Sequence, residues 1–194
     1  MEPNLSDAAL WTRVLSGDGR AFGVVFDRHR DRVFRHIRWL IKDATEAEDL
    51  TAATFLELWR RREVARIVDD SLLPWLLVTA ANMSRNSARA HRRYGRLLAK
   101  LPPPEGAMDE TAQLDEKLDS QWRSRILIDA LSVLSETDQL LFALISIEGL
   151  SIEQASLVLG VSYGAAKTRL SRARKRLNSR IGGVLLNSYG GGTT

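Results

Sequence analysis

A basic run close to the C-terminus carries residue types that bind nucleic acid. Between Ser162 and Arg180 the sequence has no acidic residue, although a solvated surface helix usually mixes charges. Four residues at helical spacing form an apolar stripe along it: Ala166, Leu170, Ala173 and Leu177. The candidate DNA-contacting residues outside that stripe are Ser162, Lys167, Thr168, Arg169, Ser171, Arg172 and Lys175. Such crowded charges favour a phosphate-bearing partner, and the alternative is a solvent-facing basic helix.

The residues before this run predict a helix-turn-helix. Residues 151–154, Ser-Ile-Glu-Gln, have the pattern of a capping box, and Gly160 begins a turn ahead of the basic helix. In a helix-turn-helix the second helix reads the major groove of DNA. Ser162 and the free amides at the start of that helix suit a phosphate, and Arg172 suits a guanine edge.

A second basic cluster lies at the end of the third predicted helix. It comprises Arg85, Arg89, His91, Arg92, Arg93 and Arg96. Asn82 and Asn86 stand one turn apart just before it, and such polar side chains engage unpaired bases as well as phosphates. An equally weighted alternative is that the arginines complement the helix dipole or the acidic segment that follows.

Apolar periodicity along the rest of the chain predicts an all-α fold. Helices are expected over residues 22–41, 45–62, 75–94 and, in two parts, 127–149. Thr45 opens one capping-box pattern, and Ser135 is the expected cap of the later helix. Apolar residues of the second helix are expected to face inward together: Ala52, Phe55, Leu56 and Trp59.

The composition of two segments divides the chain. Residues 97–120 contain three consecutive prolines and many acidic residues, and the last residues are rich in glycine. We therefore expect two small helical domains, 1–96 and 121–182, joined by a flexible acidic linker at 97–120 and followed by a flexible Gly-rich tail at 183–194.

Several classes of function are excluded by composition and motif. The chain has no cysteine, and its three histidines lack the spacing of a zinc site. Because no nucleotide-binding, metalloprotease or hydrolase motif is present, we expect no catalytic residue, no metal and no cofactor. No segment approaches the ~18 apolar residues of a membrane span, so no membrane insertion and a cytoplasmic location are expected. The net charge of +4 adds little.

Four stretches of sequence together resemble the bacterial sigma factors of the extracytoplasmic-function (ECF) group, which contain only the second and fourth sigma regions. Residues 130–177 resemble region four, including the Leu-Gly-Val-Ser turn and the basic helix after it. Residues 21–40, 47–59 and 75–93 resemble region two, including the Ala-Glu-Asp-Leu helix start and Trp75 seven residues before Asn82. The order of the blocks is also that of the family.

The resemblance implies transcription initiation with three partners: core RNA polymerase, promoter DNA and an anti-sigma factor. Region two is expected to dock on the clamp coiled coil of the polymerase, and the flap is a further expected contact. The implied core-binding residues are Glu48, Asp49, Leu50 and Phe55. The loop 63–73 precedes the residues implied to capture flipped bases of the minus-ten element: Trp75, Asn82, Arg85, Asn86 and Arg89. The basic helix is implied to read the minus-thirty-five element.

The sequence departs from the family pattern at a few positions. Ser135-Glu136 stands where Leu-Pro is frequent, and Thr168 stands where serine is frequent. Ala165 replaces a frequent threonine, which removes one expected phosphate contact. Two alternatives remain: a stand-alone helix-turn-helix regulator, which has no need of the 47–50 helix start, and a degenerate sigma homologue that binds an anti-sigma factor without supporting initiation.

Overall fold

The computed structural model describes residues 5–41, 43–98, 131 and 133–189. Helices account for most of this part of the chain, and its only β pairing is an isolated bridge between Val68 and Ser71. The predicted all-α fold is therefore confirmed. Residues 99–120 of the expected acidic linker, and residues 127 and 130 of the helix expected before Ser135, lie outside the described residues, whereas residues 97 and 98 are helical.

Four helices form the N-terminal unit. They are α1 (Asp7–Leu15), α2 (Gly19–Leu40), α3 (Ala44–Arg60) and α4 (Leu73–Leu98). They enclose one apolar core that includes the fully buried Leu10, Val25, Ile37, Leu58 and Leu76. Phe26 and Phe55 meet inside it edge to face, with ring centroids 4.7 Å apart.

Helix α1 was not predicted from the sequence. The Ser6 side chain caps it by accepting the Ala9 amide at 3.3 Å, and Asp7 places an acid in the first turn. Trp11 is buried, and its indole nitrogen donates to the Arg62 carbonyl at 3.0 Å. Helix α1 thus joins the loop between α3 and α4 to the core.

The start and the inner face of α3 differ from the sequence prediction. The cap is Asp43, whose carboxylate accepts the Glu46 amide at 2.8 Å, so the expected capping box at Thr45 is wrong. Helix α3 consequently begins one residue earlier. Its buried face includes Phe55 and Leu58, whereas Ala52 and Leu56 are exposed, because the core contacts only one narrow side of the helix.

Three further helices form the C-terminal unit. They are α5 (Glu136–Phe142), α6 (Ile152–Leu159) and α7 (Tyr163–Tyr189). A π-helical stretch (Ala143–Ile147) continues α5. The Ser135 cap and the capping box of Ser151 with Gln154 are both formed, as predicted. Gly160 has a φ of 69°, which a glycine adopts without the cost that a β-carbon imposes.

Helix α7 is longer than expected. It continues to Tyr189, whereas the sequence analysis placed a flexible Gly-rich tail from residue 183. A glycine inside a helix costs only about 1 kcal/mol relative to alanine, so the pair Gly182-Gly183 does not have to end it. The apolar residues that follow the pair are good helix formers.

The two units share a second apolar core. Leu77 and Ala81 of α4 are buried in the same cluster as Leu141 of α5 and Leu170 of α7. Two domains are predicted from the sequence, and no sequence pattern predicts that they pack together. Leu77 and Ala81 pack in this second core, whereas Leu76 and Ala80 pack in the N-terminal one. The two pairs are offset by one residue, which turns them to adjacent sides of α4.

Candidate nucleic-acid interface

The two faces of α7 are fully separated. Ala166, Leu170, Ala173 and Leu177 are all buried, as predicted. All seven candidate DNA-contacting residues are exposed: Ser162, Lys167, Thr168, Arg169, Ser171, Arg172 and Lys175. Because the apolar stripe fixes the rotation of the helix against α5 and α6, the basic face points away from the protein. The arrangement fits a major-groove-reading helix.

Several contacts refine this basic face. The Ser162 hydroxyl accepts the Ala165 amide at 3.2 Å, so it caps α7 and keeps its own proton for donation. Arg169 pairs with Asp138 of α5 at 3.3 Å and is therefore partly neutralised. Further along α7 lies a basic groove of about 590 Å³, lined by Val133, Arg172, Lys175, Arg176, Ser179 and Arg180. The face thus extends past the residues predicted for DNA contact.

Helix α4 carries the second set of predicted residues. Asn82, Asn86 and Arg89 are exposed, and their spacing places them on one side of the helix. Trp75 lies on the same side but packs partly against the N-terminal core. A groove of about 400 Å³ follows, lined by Asn86, Arg89, Arg92, Arg93 and Arg96. We call Trp75, Asn82, Asn86 and Arg89, with Arg85 beside them and the loop 61–72 before them, the strand-capture surface.

A buried carboxylate holds the loop of this surface in place. Asp7 accepts the Leu72 amide at 2.8 Å and lies 2.6 Å from both Arg28 and His29. Burial raises the pKa of Asp7, but the hydrogen bonds from His29, the Leu72 amide and Arg28 outweigh it and lower the pKa to about 2. The charged carboxylate therefore links α1, α2 and the loop.

The same loop has an unusual backbone. Asp69 and Asp70 have φ values of 49° and 58°, in the left-handed region that aspartate tolerates better than most residues. The Asp7 amide donates to the Asp70 carbonyl at 3.2 Å, which fixes this turn just before α4. Sequence analysis missed Asp7 and His29, because a contact between residues 22 positions apart leaves no local pattern.

Two arginines of the strand-capture surface are bonded to the C-terminal unit. Arg85 donates to the Glu136 carbonyl at 2.6 Å, and Arg89 pairs with the Glu136 carboxylate. The Arg89 hydrogen bond lowers the pKa of Glu136, and the same bond raises the pKa of Arg89. Burial lowers the pKa of the Arg85 guanidinium, against the opposing charge of Glu136. Both arginines are therefore held against Glu136 of the C-terminal unit.

Comparisons with known proteins identify the family. Residues 25–94 match the family Sigma-70 region 2, and residues 124–177 match Sigma-70, region 4. The RNA polymerase sigma factor CarQ of Myxococcus xanthus is 32% identical over 174 residues, which cover 88% of this chain and 94% of CarQ. The chain is an ECF sigma factor. The ECF RNA polymerase sigma-E factor of Haemophilus influenzae is also similar, at 26% identity over 195 residues that cover 93% of this chain and 98% of that protein.

Solved structures support the fold of this sigma factor. CnrH, in complex with the cytosolic domain of CnrY, matches with a TM-score of 0.60 at 22% identity, covering 94% of this chain and 97% of that chain. The sigma factor RpoE of Bartonella quintana, in complex with the anti-sigma factor NepR, matches with a TM-score of 0.53 at 23% identity, covering 80% and 93%. The matches to the two sigma-70 regions and to CarQ place the protein in a family of transcription initiation factors of RNA polymerase, which is not a class of enzymes.

The predicted polymerase-binding residues of the sigma factor lie on different sides of α3. Glu48 and Asp49 are exposed, and Leu50 is half-buried against the core. Phe55 is 2% exposed and packs on Phe26, so it supports the fold of α3 from inside the core, and its contact with the polymerase stays a prediction. Leu56 was predicted to face inward, but it is 58% exposed and lies two helical turns after Glu48 and Asp49.

The described residues of the sigma factor contain no cluster of side chains suited to hold a metal ion. None of the helices in that part of the chain is long and apolar enough to cross a membrane.

Proposed function

We propose that this sigma factor binds core RNA polymerase and directs it to promoters that have two recognition elements. The observation that carries the proposal is the presence of two separate cationic surfaces, the exposed face of α7 and the strand-capture surface of α4, on the two units of one chain. The first suits duplex DNA and the second suits unpaired bases with their phosphates.

The upstream contact is assigned to α7. Its N-terminal half enters the major groove of the minus-thirty-five element, where Lys167, Ser171 and Arg172 are exposed beside one another. Arg172 is the residue proposed to contact a guanine edge. The flanking Arg176 and Arg180 line the adjacent basic groove and follow the DNA backbone.

The downstream contact is assigned to the strand-capture surface. Asn82 and Asn86 are exposed amides that donate and accept hydrogen bonds, which suits the edge of a flipped base. Arg89 and the arginines after it supply charge for the backbone of the displaced strand. The loop held by Asp7 forms one side of the site that is proposed to bind a captured base.

The polymerase contact is assigned to the exposed side of α3. Glu48 and Asp49 supply negative charge, and Leu56 supplies the apolar centre that interfaces need. The expected partner is the clamp coiled coil, and the C-terminal unit is expected to contact the flap.

We expect Leu56→Glu to weaken core binding about tenfold, because a buried apolar contact becomes a buried charge. Leu15→Glu, at another exposed leucine on α1, is the control in a fluorescence-anisotropy titration of core polymerase. Equal losses in both variants would refute the α3 assignment.

An anti-sigma factor is proposed as a regulatory partner. The support is the structural likeness to the RpoE sigma factor solved with the anti-sigma factor NepR.

The acidic linker is proposed to pass through the polymerase between the two units and to mimic nucleic acid there through its charge.

Run-off transcription tests the proposed function. Purified core polymerase and the sigma factor are incubated with a promoter library, and the transcripts are sequenced. We expect products that share an upstream and a downstream element at a fixed spacing. Binding to core polymerase without any promoter-specific product would overturn the proposal and favour the degenerate homologue. Promoter binding without any core binding would favour a stand-alone regulator.

A further inference from the structure

The contact between the two units covers the strand-capture surface along one edge. At the α4 edge, Glu136 bonds Arg85 and Arg89. At the loop, Arg66 donates to the Leu157 carbonyl of α6 at 3.1 Å, and the Gln154 amide donates to Asp69 at 2.8 Å. The C-terminal unit therefore contacts both the α4 residues and the loop of the strand-capture surface.

A third polar contact involves no residue of the strand-capture surface. Glu148 follows the π-helical stretch, and its carboxylate lies 2.8 Å from His36 Nδ1 and 3.3 Å from Arg32 Nε on α2. Burial raises the pKa of Glu148, but the hydrogen bonds from His36 and Arg32 outweigh it and lower the pKa. The carboxylate is charged and links the C-terminal unit to α2.

An apolar contact also joins α4 to the C-terminal unit. Leu77 and Ala81 of α4 are buried against Leu140, Leu141 and Leu170 of the C-terminal unit. If the units separated, these side chains would return to water, so the hydrophobic effect favours the closed arrangement. The interface is nevertheless incompletely satisfied, because the buried Nε2 of His36 has no hydrogen-bond partner among the described residues.

The chemistry at Arg85 and Arg89 makes the closed arrangement incompatible with DNA. A carboxylate and a DNA phosphate are both oxygen anions that accept from guanidinium N–H groups in similar geometry. Arg89 cannot direct the same donors to Glu136 and to a backbone phosphate at once. DNA in the strand-capture surface and the C-terminal unit on its edge must therefore compete.

We propose that the closed arrangement is a self-inhibited form of the sigma factor, in which Glu136 takes the place of a DNA phosphate at Arg85 and Arg89. This inference rests on the proposed role of α4 in capturing single-stranded DNA. The exposed face of α7 is not covered in this form, so closure inhibits strand capture and leaves upstream recognition available. Because binding and opening are coupled, any change that weakens the closed form increases the apparent affinity for single-stranded DNA.

Glu148 offers a test at a distance from the DNA site. Glu148→Gln removes the charge opposite Arg32 without altering any residue of the strand-capture surface. Glu148→Arg is the second variant, since a glutamine still accepts hydrogen bonds whereas an arginine repels Arg32. Glu153→Gln is the matched control, because it removes an exposed carboxylate of the same unit from α6. All variants are made in the full chain.

Two measurements compare the variants: the affinity for single-stranded DNA and the distance between the two units. A fluorescein-labelled 12-nucleotide single-stranded DNA of random sequence is titrated by anisotropy, and we expect Kd to fall about fivefold or more for the Glu148 variants and to stay unchanged for Glu153→Gln. Nitroxide labels at Val64→Cys and Asn178→Cys report the distance between the units, which is possible because the chain has no cysteine of its own. We expect one narrow distance population in the parent chain and a broader, longer one in the Glu148 variants.

The outcomes separate this inference from the proposed function. If Arg89→Ala abolishes DNA binding while both Glu148 variants bind and separate like the parent, the strand-capture role stands and self-inhibition is overturned. If the Glu148 variants open but no form binds the single-stranded DNA, both the phosphate-mimic inference and the proposed role of α4 are overturned. Tighter binding together with opening supports the inference.

Discussion

At the scale of single residues, Asp7 has the most demanding environment in the N-terminal unit. Asp7 is 2% exposed, and its carboxylate contacts Arg28 of α2 and the Leu72 amide just before α4. A buried charge is stabilising only while its partners remain, so changes to Asp7 act on the loop as well as on global stability. Two predictions follow from this environment.

We expect Asp7→Asn to lower the free energy of unfolding by about 3 kcal/mol, because the variant leaves Arg28 and His29 without their anion. Urea denaturation followed by circular dichroism measures the change. Asp31→Asn is the control, since Asp31 is exposed and pairs with Arg30 only at the surface. Its effect is expected to stay below about 0.5 kcal/mol. Similar losses for both variants would contradict the special role of Asp7.

The lowered pKa of Asp7 also predicts how stability depends on pH. Its pKa is about 2 in the folded chain and 3.8 in an ordinary environment. A depressed folded pKa contributes stability that is complete above the unfolded pKa and is lost as pH falls from about 4 towards 2. We expect the parent chain to lose at most about 2 kcal/mol through this group across that window. Asp7→Asn should show a correspondingly shallower slope in urea denaturation between pH 5 and pH 3. An identical slope would contradict the assignment.

Another residue-scale finding concerns the departure at Ser135-Glu136. Ser135 caps α5 by accepting the Asp138 amide at 3.2 Å, and Glu136 pairs with Arg89. The two residues that depart from the family pattern thus have structural partners within this chain.

At the scale of elements, α7 shows how one apolar stripe determines which side chains are available to DNA. Arg172 is exposed and lies further around the helix from the centre of the buried stripe than Arg174, which lies at the flank of that stripe. The sequence was enough to predict this, because a helix with a 3.6-residue period has one buried side whatever it packs against. Helix α3 differs, since Phe55 faces inward as its spacing predicts but only the tertiary contacts show that Leu56 faces outward.

We expect Arg172→Ala to reduce discrimination between the cognate upstream duplex and a mutated one by about 1–3 kcal/mol, because a bidentate contact to a base is lost. Anisotropy titrations with both duplexes measure it. Arg174→Ala removes the same charge from the flank and should weaken binding to both duplexes equally. Equal loss of discrimination in the two variants would refute the base-contact role of Arg172.

At the scale of the whole molecule, the two cationic surfaces belong to units that contact each other directly. Upstream recognition requires only α7, whereas strand capture requires the edge of α4 to be free of Glu136. The two steps of promoter engagement should therefore be separable by mutation.

We expect Asn82→Ala to impair promoter opening more than closed-complex formation, since Asn82 is exposed on α4 and lies outside the duplex-reading helix. Permanganate reactivity of unpaired thymines measures opening, and a gel-shift assay at low temperature measures the closed complex. Arg172→Ala should show the opposite pattern. Equal effects of Asn82→Ala on both steps would contradict this division.

The sequence by itself determined helices α2 to α7, the caps at Ser135 and Ser151, and the basic face of α7. These features depend on periodicity and on hydrogen bonds between residues three or four positions apart, which leave a local pattern. Only the tertiary structure decided the anchoring of the loop by Asp7, the exposure of Leu56 and the packing of the two units through Leu77, Glu136 and Glu148. Those contacts join residues that are far apart in sequence, so their energies depend on a geometry that no local pattern encodes.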